Sequence, residues 1–437
     1  MARQYICCRM TYSETLDYIF HKLPMYSRMG SVAYKKDLTN TRLLCDHLHN
    51  PQQKFPCIHV AGTNGKGSVS HMLAAIFQAA GYKTGLYTSP HLYDFRERIK
   101  VNGEMISESF VVQFIEELKP LIEKIEPSFF EITVAMAFLA FAVEEVDIAI
   151  IEVGLGGRLD STNIITPELS LITNIGWDHM NILGNSLEKI ATEKAGIIKE
   201  KVPVVIGETL PQTKPIFEQK AKENNAAVSW AEESYNVANV VLHPDSLSIL
   251  YQKKNGEHFP VETDMPGIYQ VQNVRTVLTA IDVLTGRWKL PNEAVLQGLR
   301  EVRLRTGLGG RWEVIAQNPT TVLEVAHNEA GVAKMLEHIS RVPHAALHLI
   351  IGMVKDKEVD QVLQLLPPAA RYYFTQAHIP RALPAGELKR KANAIGLTGE
   401  SYDDVNEALQ AATGSAGTND LIVVCGSIFL VAEVSKS

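Results

Sequence analysis

The sequence predicts an α/β protein with two domains, a doubly wound and mainly parallel sheet domain followed by a smaller α/β domain. Three observations carry that expectation. Short apolar runs alternate with longer stretches of helical spacing. A glycine-rich turn joins one strand directly to one helix. The alternation stops near residue 235 and restarts beyond residue 313. A chain of 437 residues also exceeds what one ordinary core encloses.

Taken in order, "FPCIHVAG" reads as a strand ending at glycine. "KGSVSHMLAAIFQAAG" has helical spacing and stops at Gly81, a C-terminal cap. "KTGLYTSP" is the next strand, and Ser107 opens a helix through "SESFVVQFIEELKPLIEKI". "ITVAMAFLAFAVEEV" is apolar, too short to span a bilayer, and reads as a buried helix. "VDIAIIEVG", "ELSLITNIG" and "VPVVIGE" are β-rich runs. Residues 235 to 265 hold short strands around the Asn255-Gly256 turn, a hairpin signal. A helix is expected from about Gln272 to Thr285. "EVRLRTGLGGRWE" lacks periodicity and reads as the interdomain linker. "TTVLEVAHN", "ALHLIIGMV", "RYYFTQA" and "DLIVVCGS" are the strands of the second domain.

Composition narrows the function class. A net charge of -7 gives no support for nucleic-acid binding, and 46% hydrophobic residues suit a soluble globular chain. Five cysteines, odd in number and without a CxxC pair, argue against a disulfide framework or a zinc site. The first twenty residues carry no long apolar run, so no signal peptide and no membrane partner are expected, and the compartment is expected to be cytoplasmic.

The turn Gly62-Thr63-Asn64-Gly65-Lys66-Gly67-Ser68 carries the chemistry. Glycines let backbone N–H groups face a ligand, and the following helix N-terminus favours an anion. The loop fails the common Walker A spacing, because Val60 stands where a glycine is needed and Gly67 separates Lys66 from Ser68. Strand before and helix after still favour phosphate binding, with Lys66 reaching a terminal phosphate and Ser68 a magnesium ion. Glu152 ends an apolar strand, as the magnesium-holding acid of phosphate-loop enzymes does. Asp178 and His179 follow another strand, and Lys194 lies in a mixed-charge helix. From residue chemistry alone these read equally as structural or solvated groups.

"GTNGKGS", "TSPHL", "EVGLGGRLDSTN", "WDH" and "ATEKAGIIK" occur in this order, followed by "YQVQN", "GGRWE", "VAHN", "GMVKDKEV" and "CGSIFLVAEV". The ordered set resembles the folylpolyglutamate synthase and dihydrofolate synthase branch of the Mur ligase superfamily across nearly the whole chain. That superfamily uses a shorter loop, Gly-x-x-Gly-Lys-x-Ser/Thr, which Gly62 to Ser68 matches. The resemblance implies an ATP-binding phosphate-loop domain over residues 1–303 and a Rossmann-like C-terminal domain over 304–437 that closes on the site. It implies that Thr63, Asn64, Gly65, Lys66, Gly67 and Ser68 cradle ATP, with Asn273, Arg311 and Glu324 as further nucleotide contacts. Ser68, Ser89, Glu152 and His179 are implied ligands of two Mg2+ ions. Lys194 matches a lysine carbamylated by CO2, whose carbamate is implied to join the metal site as a magnesium-side anion, and Lys66, Lys194 and His327 are the implied catalytic residues. Asp160 matches a position near the pterin, and His327 one near the reacting acyl group. The implied substrates are ATP, L-glutamate and a pteroate or folate, and a monomer is expected.

Four positions depart from the pattern, among them Val325 and Glu329 in place of its glycine and proline. Glu324 replaces the aspartate of the usual Asp-Gly-Ala-His-Asn-Pro, and Tyr269 replaces the usual histidine before Gln270 and Asn273. The expected reaction is ATP-dependent amide formation through an acyl phosphate. A cell-wall UDP-muramoyl ligase is the nearest alternative, and a non-catalytic nucleotide switch is the alternative from another class. "TSPHL" and "LGGRLDSTN" favour the folate reading, and no Asn-Lys-x-Asp base-reading motif supports the switch.

Overall fold

In the computed structural model, residues 10–25, 37–355 and 359–435 are described. Cys7, Cys8 and the start of the N-terminal segment lie outside them.

Eight strands form the first sheet. They are β1 (Cys57–Ala61), β2 (Thr84–Tyr87), β3 (Ile99–Val101), β4 (Glu104–Met105), β5 (Ile148–Glu152), β6 (Leu169–Ile172), β7 (Val204–Ile206) and β8 (Val228–Trp230). Their order is β4-β3-β2-β5-β1-β6-β7-β8, parallel from β2 to β8, with β3 and β4 antiparallel at one edge. β1 and β5 are buried at every residue, as strands covered by helices on both faces must be. The chain leaves β1 toward one side of the sheet and leaves β5 toward the other. The carboxyl ends of β1, β5 and β6 therefore border a crevice at a topological switch point, where ligands of such sheets bind.

The helix Lys66–Ala79 fills the core above this sheet, with every residue from Ser68 to Phe77 buried. The helix Asn292–Arg300 lies against it so closely that a Cβ on Gly298 would stand 2.5 Å from Ile76 Cα. The helix Phe129–Val143 is apolar all round and buried, as its composition predicts. Ser128 and Glu131 cap its start reciprocally. Among the described residues no helix is long and apolar enough to cross a membrane.

Strands β9 (Tyr235–Leu242), β10 (Leu247–Lys253) and β11 (His258–Thr263) form a separate antiparallel sheet, with Asn255-Gly256 at the turn between β10 and β11. The expected helix then runs Gln270–Leu284.

The region read as an aperiodic linker is partly regular. Val302–Thr306 is a short helix anchored on the first domain, where Thr306 Oγ1 meets His71 Nδ1 at 2.7 Å and Lys100 Nζ donates to Thr306 O at 2.7 Å. Glu313 already belongs to β12 (Glu313–Ala316). Five residues are too few to show a period, and arginines at helix ends look like linker charge.

The third sheet adds β13 (Thr320–Leu323), β14 (Leu347–Ile351), β15 (Arg371–Phe374), β16 (Gly399–Ser401) and β17 (Leu421–Cys425). Its order is β12-β13-β17-β14-β15-β16, parallel except for β12. Both short edge strands escaped the sequence reading, because an edge strand lacks the apolar run that marks β14 and β17.

Gly298→Ala is expected to push two packed helices apart and lower stability by about 1–3 kcal/mol. A thermal unfolding midpoint unchanged from that of the unsubstituted protein would refute the close contact.

Candidate functional site

The loop after β1 is shaped mostly by the loop after β6. Asn174 Oδ1 accepts from Asn64 N at 2.9 Å, Thr173 Oγ1 donates to Asn64 O at 2.6 Å, and Thr63 N donates to Asn174 O at 3.0 Å. Gly65 has φ +81°, and a Cβ there would lie 2.3 Å from Asn273 Oδ1, so only glycine fits both the turn and its neighbour. Behind the loop, Asn273 Nδ2 donates to Gln270 Oε1 (2.6 Å) and Gln270 Nε2 donates to Ser68 Oγ (3.3 Å). Lys66 Nζ reaches back to Gly62 O at 3.2 Å and Thr63 O at 3.1 Å.

Charged groups converge around this loop. Glu152, at the end of β5, is 4% exposed and accepts from Ser89 N at 3.1 Å. Burial pushes its carboxyl above the ordinary range, against the pull of Lys66, the Ser89 amide and Arg311. Lys194 is equally buried, and its Nζ donates to Gly62 O at 2.7 Å. Burial, and secondarily the Lys66 charge, lower its amine to about 7. Among the described residues no three His, Cys, Asp or Glu side chains gather as a self-sufficient metal cage.

The second domain contributes from β13 onward. Arg311 Nη2 and the Glu152 oxygens lie 3.6 and 3.9 Å from where Gly67 would carry a Cβ. Arg303 donates to Arg311 O (2.7 Å) and Trp312 O (3.1 Å), which fixes the chain crossing between domains. His327 Nε2 stands 3.5 Å from Asp178 Oδ2, and its Nδ1 contacts Val325 O at 2.9 Å. His179, in a left-handed conformation at φ +51°, sits beside the same aspartate.

Glu324 is engaged by protein groups from both sides of the domain crossing. It is 3% exposed, and its Oε2 accepts from Tyr269 Oη and from Trp312 N at 3.0 Å. Two of the departures from the family pattern, Tyr269 and Glu324, thus meet each other. The longer carboxylate and the tyrosine hydroxyl form a buried interdomain hydrogen bond.

Next to the loop opens a cavity of about 540 Å³ between the domains. Ser89, Asp160, His179 and His327 line it, so four expected site residues share one space. Its walls include Phe129, Phe130 and Phe429, which sequence reasoning missed. Core-type aromatics on apolar segments carry no signal that one face borders a cavity. Asp160 is held by Leu155 N (2.8 Å) and by Thr162 N (3.0 Å) and Oγ1 (2.5 Å), and burial raises its carboxyl. Asn328 was also missed as a functional candidate, although an asparagine ahead of a helical run is an N-cap signature.

The family described as Mur ligase middle domain matches residues 60–281, and that described as Mur ligase, glutamate ligase domain matches 310–428. The chain belongs to the Mur ligase family, in its dihydrofolate synthase/folylpolyglutamate synthase branch. It is 33% identical to the dihydrofolate synthase/folylpolyglutamate synthase of Bacillus subtilis, over 92% of this chain and 95% of that protein. The structure of Escherichia coli FolC in complex with DHPP and ADP superposes with a TM-score of 0.85, at 28% identity and 97% coverage of both chains. A bifunctional folylpolyglutamate synthase/dihydrofolate synthase with Mn, AMPPNP and L-glutamate bound gives a TM-score of 0.83, at 28% identity and 97% coverage of both. The two-domain α/β architecture expected for this Mur ligase is the one these structures share.

Tyr269→Phe is expected to leave Glu324 short of a donor and to cost about 1–3 kcal/mol. Adding Glu324→Gln should cost less than the sum of the two changes, and strict additivity in chemical denaturation would show that the pair is not coupled.

Proposed function

We infer that this Mur ligase joins L-glutamate to dihydropteroate or a folate at the expense of ATP, releasing ADP and phosphate. The observation that carries the reading is adjacency: Lys194 donates to Gly62 O of the phosphate loop, Glu152 accepts from Ser89 N, and Ser89 in turn lines the aromatic-walled cavity between the domains. The substrate carboxylate attacks the γ-phosphorus, and an acyl phosphate and ADP form. The glutamate amine then attacks the acyl carbon, and phosphate leaves. Lys66 and Arg311 face the charge that spreads over the transferring group, which is the main catalytic need in phosphoryl transfer. Closure between the domains keeps water from the acyl phosphate and sets the reactants in reach.

The residues fit a divalent cation of the magnesium kind. Such an ion takes few protein oxygens and completes its shell with water and phosphate. Ser68, Ser89, Glu152 and His179 would hold it, directly or through water, and it would neutralise charge on the phosphates. Gly65 and Gly67 supply loop amides, Thr63 and Asn64 shape the loop with their own amides held by Asn174, Asn273 backs the loop, and Asp160 and His327 face the acceptor. The proposed domain division lies within 307–312 rather than at 303, since the helix Val302–Thr306 is anchored on the first domain. A monomeric, cytoplasmic enzyme is part of the proposal.

Lys194 would carry a carbamate, its neutral amine adding to CO2 and releasing a proton. With the amine at about 7, roughly half is neutral at pH 7, against about one in a few thousand for an ordinary lysine. Its depressed value has a stability sign as well. Between pH 7 and the ordinary lysine value the unfolded chain holds the extra proton, so the unmodified protein gains stability as pH rises through that window.

The deciding assay follows phosphate release from MgATP, glutamate and bicarbonate with dihydropteroate, a monoglutamyl tetrahydrofolate or a UDP-muramoyl acceptor. Release with a pterin acceptor, and a product heavier by one glutamate residue, is expected. Release with the muramoyl acceptor alone, or with none, overturns the reading. With 13C-bicarbonate, a carbamate NMR signal is expected above about pH 7 that weakens below it and is absent from Lys194→Ala. A signal equal in the two proteins would remove the carbamate from the proposal.

A further inference from the structure

The phosphate loop and the second domain are joined by one side chain from each. Asn328 caps the helix Glu329–Ile339, its Oδ1 accepting from Gly331 N at 2.8 Å. The same oxygen accepts from Asn64 Nδ2 at 3.1 Å, and Asn328 Nδ2 donates to Asn64 Oδ1 at 3.0 Å. The remaining proton of that amide goes to Asp178 Oδ2 at 3.1 Å. Both donors and both acceptor positions of the Asn328 carboxamide are therefore used, and only one amide orientation satisfies all four contacts. Asn328 is 5% exposed, so losing any of these partners leaves a buried polar group unmatched.

The placement gives this pair a reach beyond capping. Asn64 has its backbone pinned by Thr173 and Asn174, so only its side chain is free to address the second domain. His327 precedes Asn328 directly and faces the same Asp178 oxygen at 3.5 Å. A shift of Asn328 carries His327 with it.

We propose that the reciprocal Asn64–Asn328 amide pair is a closure latch, which registers His327 against the phosphate loop. Asn328 is then a positioning residue for the proposed ligase reaction, on which this inference rests. The latch holds the two domains together rather than the phosphates. No other residue type fits position 328 equally well. Aspartate offers two acceptors where two donors are required and faces the Asp178 carboxylate. Alanine removes the bridge.

The test compares Asn64→Ala, Asn328→Ala, the double variant and Asn328→Asp. Each alanine variant is expected to lower kcat by about tenfold to a hundredfold, and Asn328→Ala is expected to keep its affinity for MgAMPPNP by calorimetry essentially unchanged. The double variant should be no worse than the poorer single one. Asn328→Asp should recover activity as pH falls, when its acid regains a donor. Additive losses, or lost MgAMPPNP affinity with kcat unchanged, would overturn the latch. A second readout stands apart from turnover. With MgAMPPNP, small-angle scattering should give Asn328→Ala a larger radius of gyration than the unsubstituted protein, and equal radii would also overturn it. If the unsubstituted protein turns over no acceptor, the ligase reading fails while the scattering still decides the latch.

Discussion

Everything at this site depends on gathering buried Glu152 and Lys194 with half-buried Lys66 at the carboxyl ends of β1 and β5 and on the helix Leu187–Ala195. Each charge alone is costly to remove from water. Lys66 eases the burial of the Glu152 carboxylate but opposes the charge on Lys194, which Asp178 and Asp160 support, and the residual cost is visible in a lysine lowered to about 7 and a glutamate raised above its ordinary range. A site already stripped of water is one where phosphate charge is strongly felt.

The surrounding fold is arranged to hold that cluster still. The parallel strands are fully buried, and the helix Lys66–Ala79 is clamped by the helices on either side of it. Glycine appears at Gly65 and Gly298, where a single extra carbon would collide with Asn273 or with the Ile76 backbone. The second domain is tied on by contacts of different chemistry. Arg303 grips the crossing peptides, Tyr269 meets Glu324, His338 Nδ1 accepts from Ile268 N at 3.1 Å, and Asn328 meets Asn64. The cavity is lined from the second domain by residues that include His327, Arg381 and Phe429, so the position of that domain sets the cavity's shape.

The Tyr269–Glu324 pair illustrates why single departures from a motif mislead. Read along the chain, they are two unrelated changes 55 residues apart. In space they are one interaction, a hydroxyl donating to a carboxylate. Through the same carboxylate Glu324 also anchors the crossing segment, accepting from Trp312 N.

The order of strands and helices, the loop and its lysine were legible in the sequence because they depend on local rules. Buried parallel strands must be apolar runs, and a tight strand-to-helix turn must carry glycine. Ser89, Asp160, His179 and His327 were legible only through the resemblance, since none carries its own spacing signal. The edge strands, the short helix Val302–Thr306, the aromatic cavity wall and the Asn64–Asn328 pair were decided by tertiary structure alone. Their partners lie far along the chain, 264 residues in the case of the two asparagines, and the hydrogen bond that gives each its role exists only once the two domains meet.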